Sequence, residues 1–155
     1  MRGVLAAACG AFALAGGFVL AALALLVMVS VAGRAFGRPI QGDFELVQVA
    51  CAICIAFFLP YCQLRRANII VDFFTARAGA RAHALLDAFG AGLYTLVLGV
   101  LAWRTGLGAI AIKAANETTM IMGVPLWYAY GLMAPAFALA ALTGAYTTIE
   151  SWRAR

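Results

Sequence analysis

Polar positions along this chain are few and fall in clumps. Residues 3–33 carry no charge, and a second apolar run over 44–64 has only Glu45, at its start. A third run, 83–112, is interrupted by Asp87 near one end and Arg104 toward the other, and a fourth has no charge between Glu117 and Glu150. A hydrocarbon layer of about 30 Å takes about 20 helical residues to cross, because in lipid only helices and closed barrels satisfy every backbone group. The pattern predicts an all-α integral membrane protein, a single domain over 1–155. Its transmembrane helices are placed at about 4–33, 44–64, 82–112 and 124–150.

The first run begins like a signal peptide, with Arg2 ahead of small apolar residues. Its 31 uncharged residues far exceed the roughly 7–15 of a cleaved leader, so it reads as a retained helix. Connectors separate the runs. Gly37-Arg38-Pro39-Ile40-Gln41-Gly42-Asp43 supplies turn residues, with Asp43 as the expected N-cap of the second helix. Gly123-Val124-Pro125 precedes the fourth, where Pro125 suits a first helical turn.

The connector between the second and third helices is longer. Ile69, Ile70, Phe73 and Phe74 recur at helical spacing opposite Arg66, Asp72 and Arg77. That spacing predicts a short amphipathic helix at about 67–78 lying in the membrane interface, with Arg65, Arg66, Arg77 and Arg81 on phospholipid headgroups.

Charge then gives orientation. Arg2, Arg65, Arg66, Arg77, Arg81, Arg153 and Arg155 fall on one side of a four-helix chain, and Arg34, Arg38 and Lys113 on the other. The excess places both termini in the cytoplasm. The formal net charge of +5 therefore reads as topology and not as nucleic-acid binding. A composition of 66% hydrophobic and 11% charged residues agrees, since it leaves too little polar surface for a water-soluble fold.

Candidate chemistry is sparse. Cys51-x-x-Cys54 has the spacing of a redox pair, but it lies deep in an apolar run, where thiols act as small hydrophobes. One histidine excludes a bis-His haem and leaves no metal cluster. Glu45 is close enough to a connector to reach the interface. Arg104 lies deeper, and either snorkels or pairs with a carboxylate, from Glu45 or from a partner protein. A chain that is nearly all membrane yet lacks catalytic, metal or transport groups points to a subunit whose function a partner supplies. No enzyme activity and no cofactor are expected.

Three segments carry a family resemblance. Gly37-Arg38-Pro39-Ile40-x-Gly42-x-x-Glu45-Leu46, Arg65-x-x-Asn68-Ile69-x-Val71-Asp72, and Thr118-Thr119-x-x-x-x-Gly123-Val124-Pro125-Leu126-Trp127-x-x-Tyr130 occur in that order. They resemble the small, DctQ-like membrane subunit of tripartite ATP-independent periplasmic (TRAP) transporters, over about residues 10–150. Asn68 stands where the family commonly has His, and Val124 where it has Ile. The resemblance implies a bacterial inner-membrane protein in a sodium-driven system, in which a periplasmic binding protein delivers an organic acid to a large transport subunit.

In that reading the small subunit braces the large one and ligates no substrate. Arg38, Asp43, Lys113 and Glu117 are expected to help dock the binding protein. Glu45, Asp72, Arg104, Pro125, Trp127 and Tyr130 are expected to serve structure or partner pairing. A non-catalytic anchor of a respiratory or other membrane enzyme is the alternative.

Overall fold

The structure, a computed structural model, describes residues 2–37, 40–65 and 80–153. Four helices make it up: α1 (Arg2–Ala35), α2 (Asp43–Leu64), α3 (Ala80–Ala115) and α4 (Trp127–Arg153). All four are long and apolar enough to cross a bilayer. The expected interfacial helix, with Arg66, Asp72 and Arg77, lies outside the described residues, as does Arg38. Arg81 falls in the first turn of α3.

The helix ends follow from local chemistry. α1 stops at Gly37, whose φ of 70° suits glycine, and the Gly37 N–H returns to the Arg34 carbonyl at 3.1 Å. α3 ends where Asn116 takes a φ of 51°, a left-handed conformation that Asn tolerates better than most residues.

Two boundaries differ from expectation. The N-cap of α2 is Gly42, at φ 83°, and not Asp43, which is the first helical residue. The Asp43 carboxylate is drawn instead toward α1. Pro125 precedes α4 and does not sit in its first turn. It pairs with Thr118 in an isolated antiparallel bridge, closed by Thr119 N–H to the Val124 carbonyl at 2.9 Å.

The helices pack in the order α1, α2, α4, α3, so that α2 and α4 lie inside a row and α1 and α3 form its edges. The middle of the row is knit by Ile53, Ala56 and Phe57 of α2 with Ala129 and Ala136 of α4, flanked by Phe12 of α1. Phe12 meets Phe57 edge to face, ring centroids 5.0 Å apart.

In lipid, where tails are as apolar as leucine, close packing and interhelical hydrogen bonds hold helices together. Gly16 lies against Phe57 and Phe58, and Gly144 against Tyr94 and Thr95. Gln63 donates to Thr147 Oγ1 at 3.1 Å between α2 and α4, and Tyr94 reaches the Leu59 carbonyl at 3.2 Å. Gly17, Gly90, Gly92 and Gly99, by contrast, have nothing within 4 Å of where a Cβ would stand.

The row leaves much apolar surface uncovered. Only 6% of the spanning window of α3 is buried, against 28% for α4.

Candidate functional site

The end of the row away from the chain termini gathers the α1–α2 connector and the α3–α4 loop. It holds most of the polar side chains that sequence singles out. Ser30 donates to Asp43 Oδ2, and Arg34 pairs with the same oxygen. Asp43 Oδ1 accepts the Phe44 N–H at 2.9 Å, and the Arg34 guanidinium lies 5.3 Å from the centroid of the Phe44 ring. Asp43 is 8% exposed, so its carboxylate is committed inward, where it ties α2 to the last turns of α1.

Glu45 reaches the other way. Its carboxylate accepts from the Ile121 N–H at 3.0 Å and the Met122 N–H at 3.2 Å, fixing the α3–α4 loop to the first turn of α2. Among the described residues Glu45 makes these bonds to backbone amides and no ion pair with Arg104. Gly42 lies beneath the same loop. A Cβ there would come within 2.5 Å of Met122 Cγ, so both its backbone conformation and its contact require glycine.

Within the loop, Thr119 Oγ1 accepts the Val124 N–H at 3.0 Å, and the Leu126 N–H returns to the Glu117 carbonyl at 3.2 Å. The tip is apolar and solvent-facing, with Met120 99% exposed. Lys113 Nζ sits 4.7 Å from the Trp127 ring centroid, and Trp127 stacks on Tyr128. Tyr130 packs beside Gly108 of α3. Lys113 and Glu117 are exposed.

Arg104 is exposed on α3, with no ion pair or hydrogen bond among the described residues. Arg65 caps α2 at the opposite end, its Nε donating to the Tyr61 hydroxyl at 3.2 Å.

No group of three or more His, Cys, Asp or Glu residues that could hold a metal occurs among the described residues. The four thiols are free, and Cys54 Sγ lies 3.5 Å from the Gly16 carbonyl, in the α1–α2 contact. The arrangement can fix two connectors as one rigid surface.

Two segments 76 residues apart, each part of the family resemblance, thus meet at Glu45 and Ile121. A family model described as Tripartite ATP-independent periplasmic transporters, DctQ component, matches residues 23–154. The chain belongs to that family. Searches of curated proteins and of solved structures give no match. As a DctQ component the chain is a multi-pass inner-membrane part of a tripartite transport system, and the family is a transporter component, not a known enzyme. Its partners in general are therefore the large membrane subunit and the periplasmic binding protein.

For this DctQ chain, sequence singled out Asp43, Glu45, Trp127 and Lys113 but passed over Ser30 and Arg34. Arg34 carried a signal: it stands nine residues before Asp43, across a connector bounded by Gly37 and Gly42. Ser30 carried none, being a single hydroxyl in a long apolar run.

Proposed function

We propose that this chain is the small, scaffolding subunit of a sodium-driven importer of an organic acid. It braces the large transport subunit and presents the joined connectors to the periplasmic binding protein, with both termini in the cytoplasm. The observation that carries the reading, beyond family membership, is the pairing of a rigid connector end with edge helices left bare. A subunit that ligates substrate needs convergent polar groups at membrane depth. Here most of the polar side chains described above, Arg104 apart, bond one another or the backbone, and most gather at the connector end, while the long faces of α1 and α3 await lipid or protein.

Arg38, Lys113 and Glu117 supply the docking surface, and Asp43 acts behind them by holding α2 against α1. Arg65, Arg66, Arg77 and Arg81 contact anionic headgroups at the other end, consistent with the excess of basic residues there. Asp72 joins the same segment as a pairing residue.

The test is reconstitution. Large subunit alone, and large with small subunit, are placed in liposomes with a sodium gradient and loaded binding protein. Uptake is expected only with both. Equal uptake by the large subunit alone would remove the scaffolding role.

A further inference from the structure

We infer that the open face of α3 around Arg104 is the docking face for the large membrane subunit, and that a helix of that subunit presents a carboxylate to Arg104. The inference rests on the function proposed above and adds which edge of the row is covered.

α1 and α3 are both edges, but they differ in one respect. Between Gly3 and Gly33, α1 exposes only apolar side chains, among them Leu14, Phe18, Leu25 and Met28, which acyl chains satisfy; the exposed guanidinium of Arg34, in its last turn, is already paired with Asp43. α3 exposes a guanidinium. One helical turn either way, the neighbours of Arg104 on its own helix are Val100, Leu101, Leu107 and Gly108, none of which can accept a hydrogen bond from it through a side chain. Of the carboxylates at the connectors, Asp43 holds Arg34, Glu45 holds backbone amides, and Glu117 lies 13 residues past Arg104, on the far side of Lys113.

Depth argues against escape to the headgroups. Arg104 precedes Lys113 by nine residues, about 13 Å of helix, which is close to half of a ~30 Å hydrocarbon layer. Lys113 stands over Trp127, an aromatic of the kind that marks the membrane interface. Side chains on a helix lean toward its N-terminus, so Arg104 leans away from that nearer interface. A charge held at such depth faces a protein partner that pairs with it.

The rest of the face is apolar. Leu93, Val97, Val100, Leu101 and Leu107 lie within about 60° of Arg104 around the helix and are exposed, a surface that a partner helix covers by close packing.

Two measurements on the co-expressed two-subunit complex test this. A photoreactive side chain placed at Leu101 or Leu107 is expected to crosslink to the large subunit, and one at Leu14 or Phe18 is not. Crosslinks from α1 positions with none from α3 would overturn the assignment. In parallel, Arg104→Leu is expected to cut recovery of the large subunit with tagged small subunit at least tenfold, with Arg104→Lys retaining most of it. The isolated Arg104→Leu subunit should resist thermal unfolding as well as wild type or better, because a charge has been removed from lipid. Undiminished recovery with Arg104→Leu would mean that the guanidinium reaches headgroups and that no carboxylate meets it. Should wild-type small subunit fail to recover the large one at all, the scaffolding function itself falls, an outcome separable from a complex that forms through α1.

Discussion

Glu45, in the first turn of α2, accepts hydrogen bonds from the backbone of Ile121 and Met122, 76 and 77 residues later in the chain. One carboxylate thereby converts two separate connectors into a single body. Its backbone partners are donors that the turn at the loop tip leaves without partners of their own, so the bond serves both sides.

Replacing Glu45 with Ala should free the loop and leave α2 in place. Amide hydrogen exchange over residues 118–124 is expected to rise at least tenfold, with exchange in the middle of α2 unchanged. Glu45→Gln should fall between, since its single carbonyl oxygen keeps one acceptor. Unaltered loop exchange in both variants would show that the bridge from Thr118 to Pro125 suffices to order the loop.

Ser30, Arg34 and Asp43 act as one unit, and their variants should not add. Asp43→Ala strands both partners and is expected to lower the unfolding midpoint most, and Arg34→Ala less, because Ser30 still donates to the carboxylate. Combining Arg34→Ala with Asp43→Ala should cost no more than Asp43→Ala alone. A full sum of the two effects in thermal melts would argue against a shared site.

Gly42 combines a left-handed backbone with a loop pressed onto it. Gly42→Ala is expected to destabilise by about 1–2 kcal/mol from backbone conformation. Met122→Ala should restore only the steric part. Full rescue by Met122→Ala, read by denaturant titration in mild detergent, would place the whole effect in the contact.

Gly144 sets how near α3 and α4 approach. A Cβ there would meet Thr95 Oγ1 at 2.5 Å and Tyr94 Cδ1 at 2.9 Å. Gly144→Ala is therefore expected to cost about 1–3 kcal/mol by overpacking, and Thr95→Ala to recover part of it. Gly131→Ala on the same helix meets nothing and should be neutral, or stabilising by up to about 1 kcal/mol. Equal effects at the two glycines would show that helix propensity, and not the crossing, decides.

Reversing the exposed charges at the connector end tests docking. Lys113→Glu and Glu117→Lys should each raise the binding-protein concentration needed for half-maximal uptake several-fold at low salt, with the two membrane subunits still co-purifying. The effect should shrink as salt is added. A salt-independent loss would point instead to Lys113 acting through Trp127.

What the sequence determined by itself is the set of things that hydropathy and chain length control. Each apolar run was long enough to cross a bilayer and had to form a helix there to satisfy its own backbone, so four helices long and apolar enough to span it were legible. The ordered connector motifs, with Glu45, Trp127 and Tyr130 at recognisable spacings, were legible as a family pattern. Partnership was less so. Asp43 looked like a cap and Pro125 like a first-turn residue, because nearby sequence cannot show that Ser30, Arg34 and Thr118 compete for them.

The tertiary structure alone decided the order α1, α2, α4, α3. A lipid-facing helix and a protein-facing helix are equally apolar, so no periodicity separates them, and the choice rests on where Gly16 and Gly144 admit a neighbour. It also decided that Glu45 spans two connectors and that Arg104 is exposed on the edge helix α3. That exposed guanidinium is the residue on which the inferred contact with the large subunit rests.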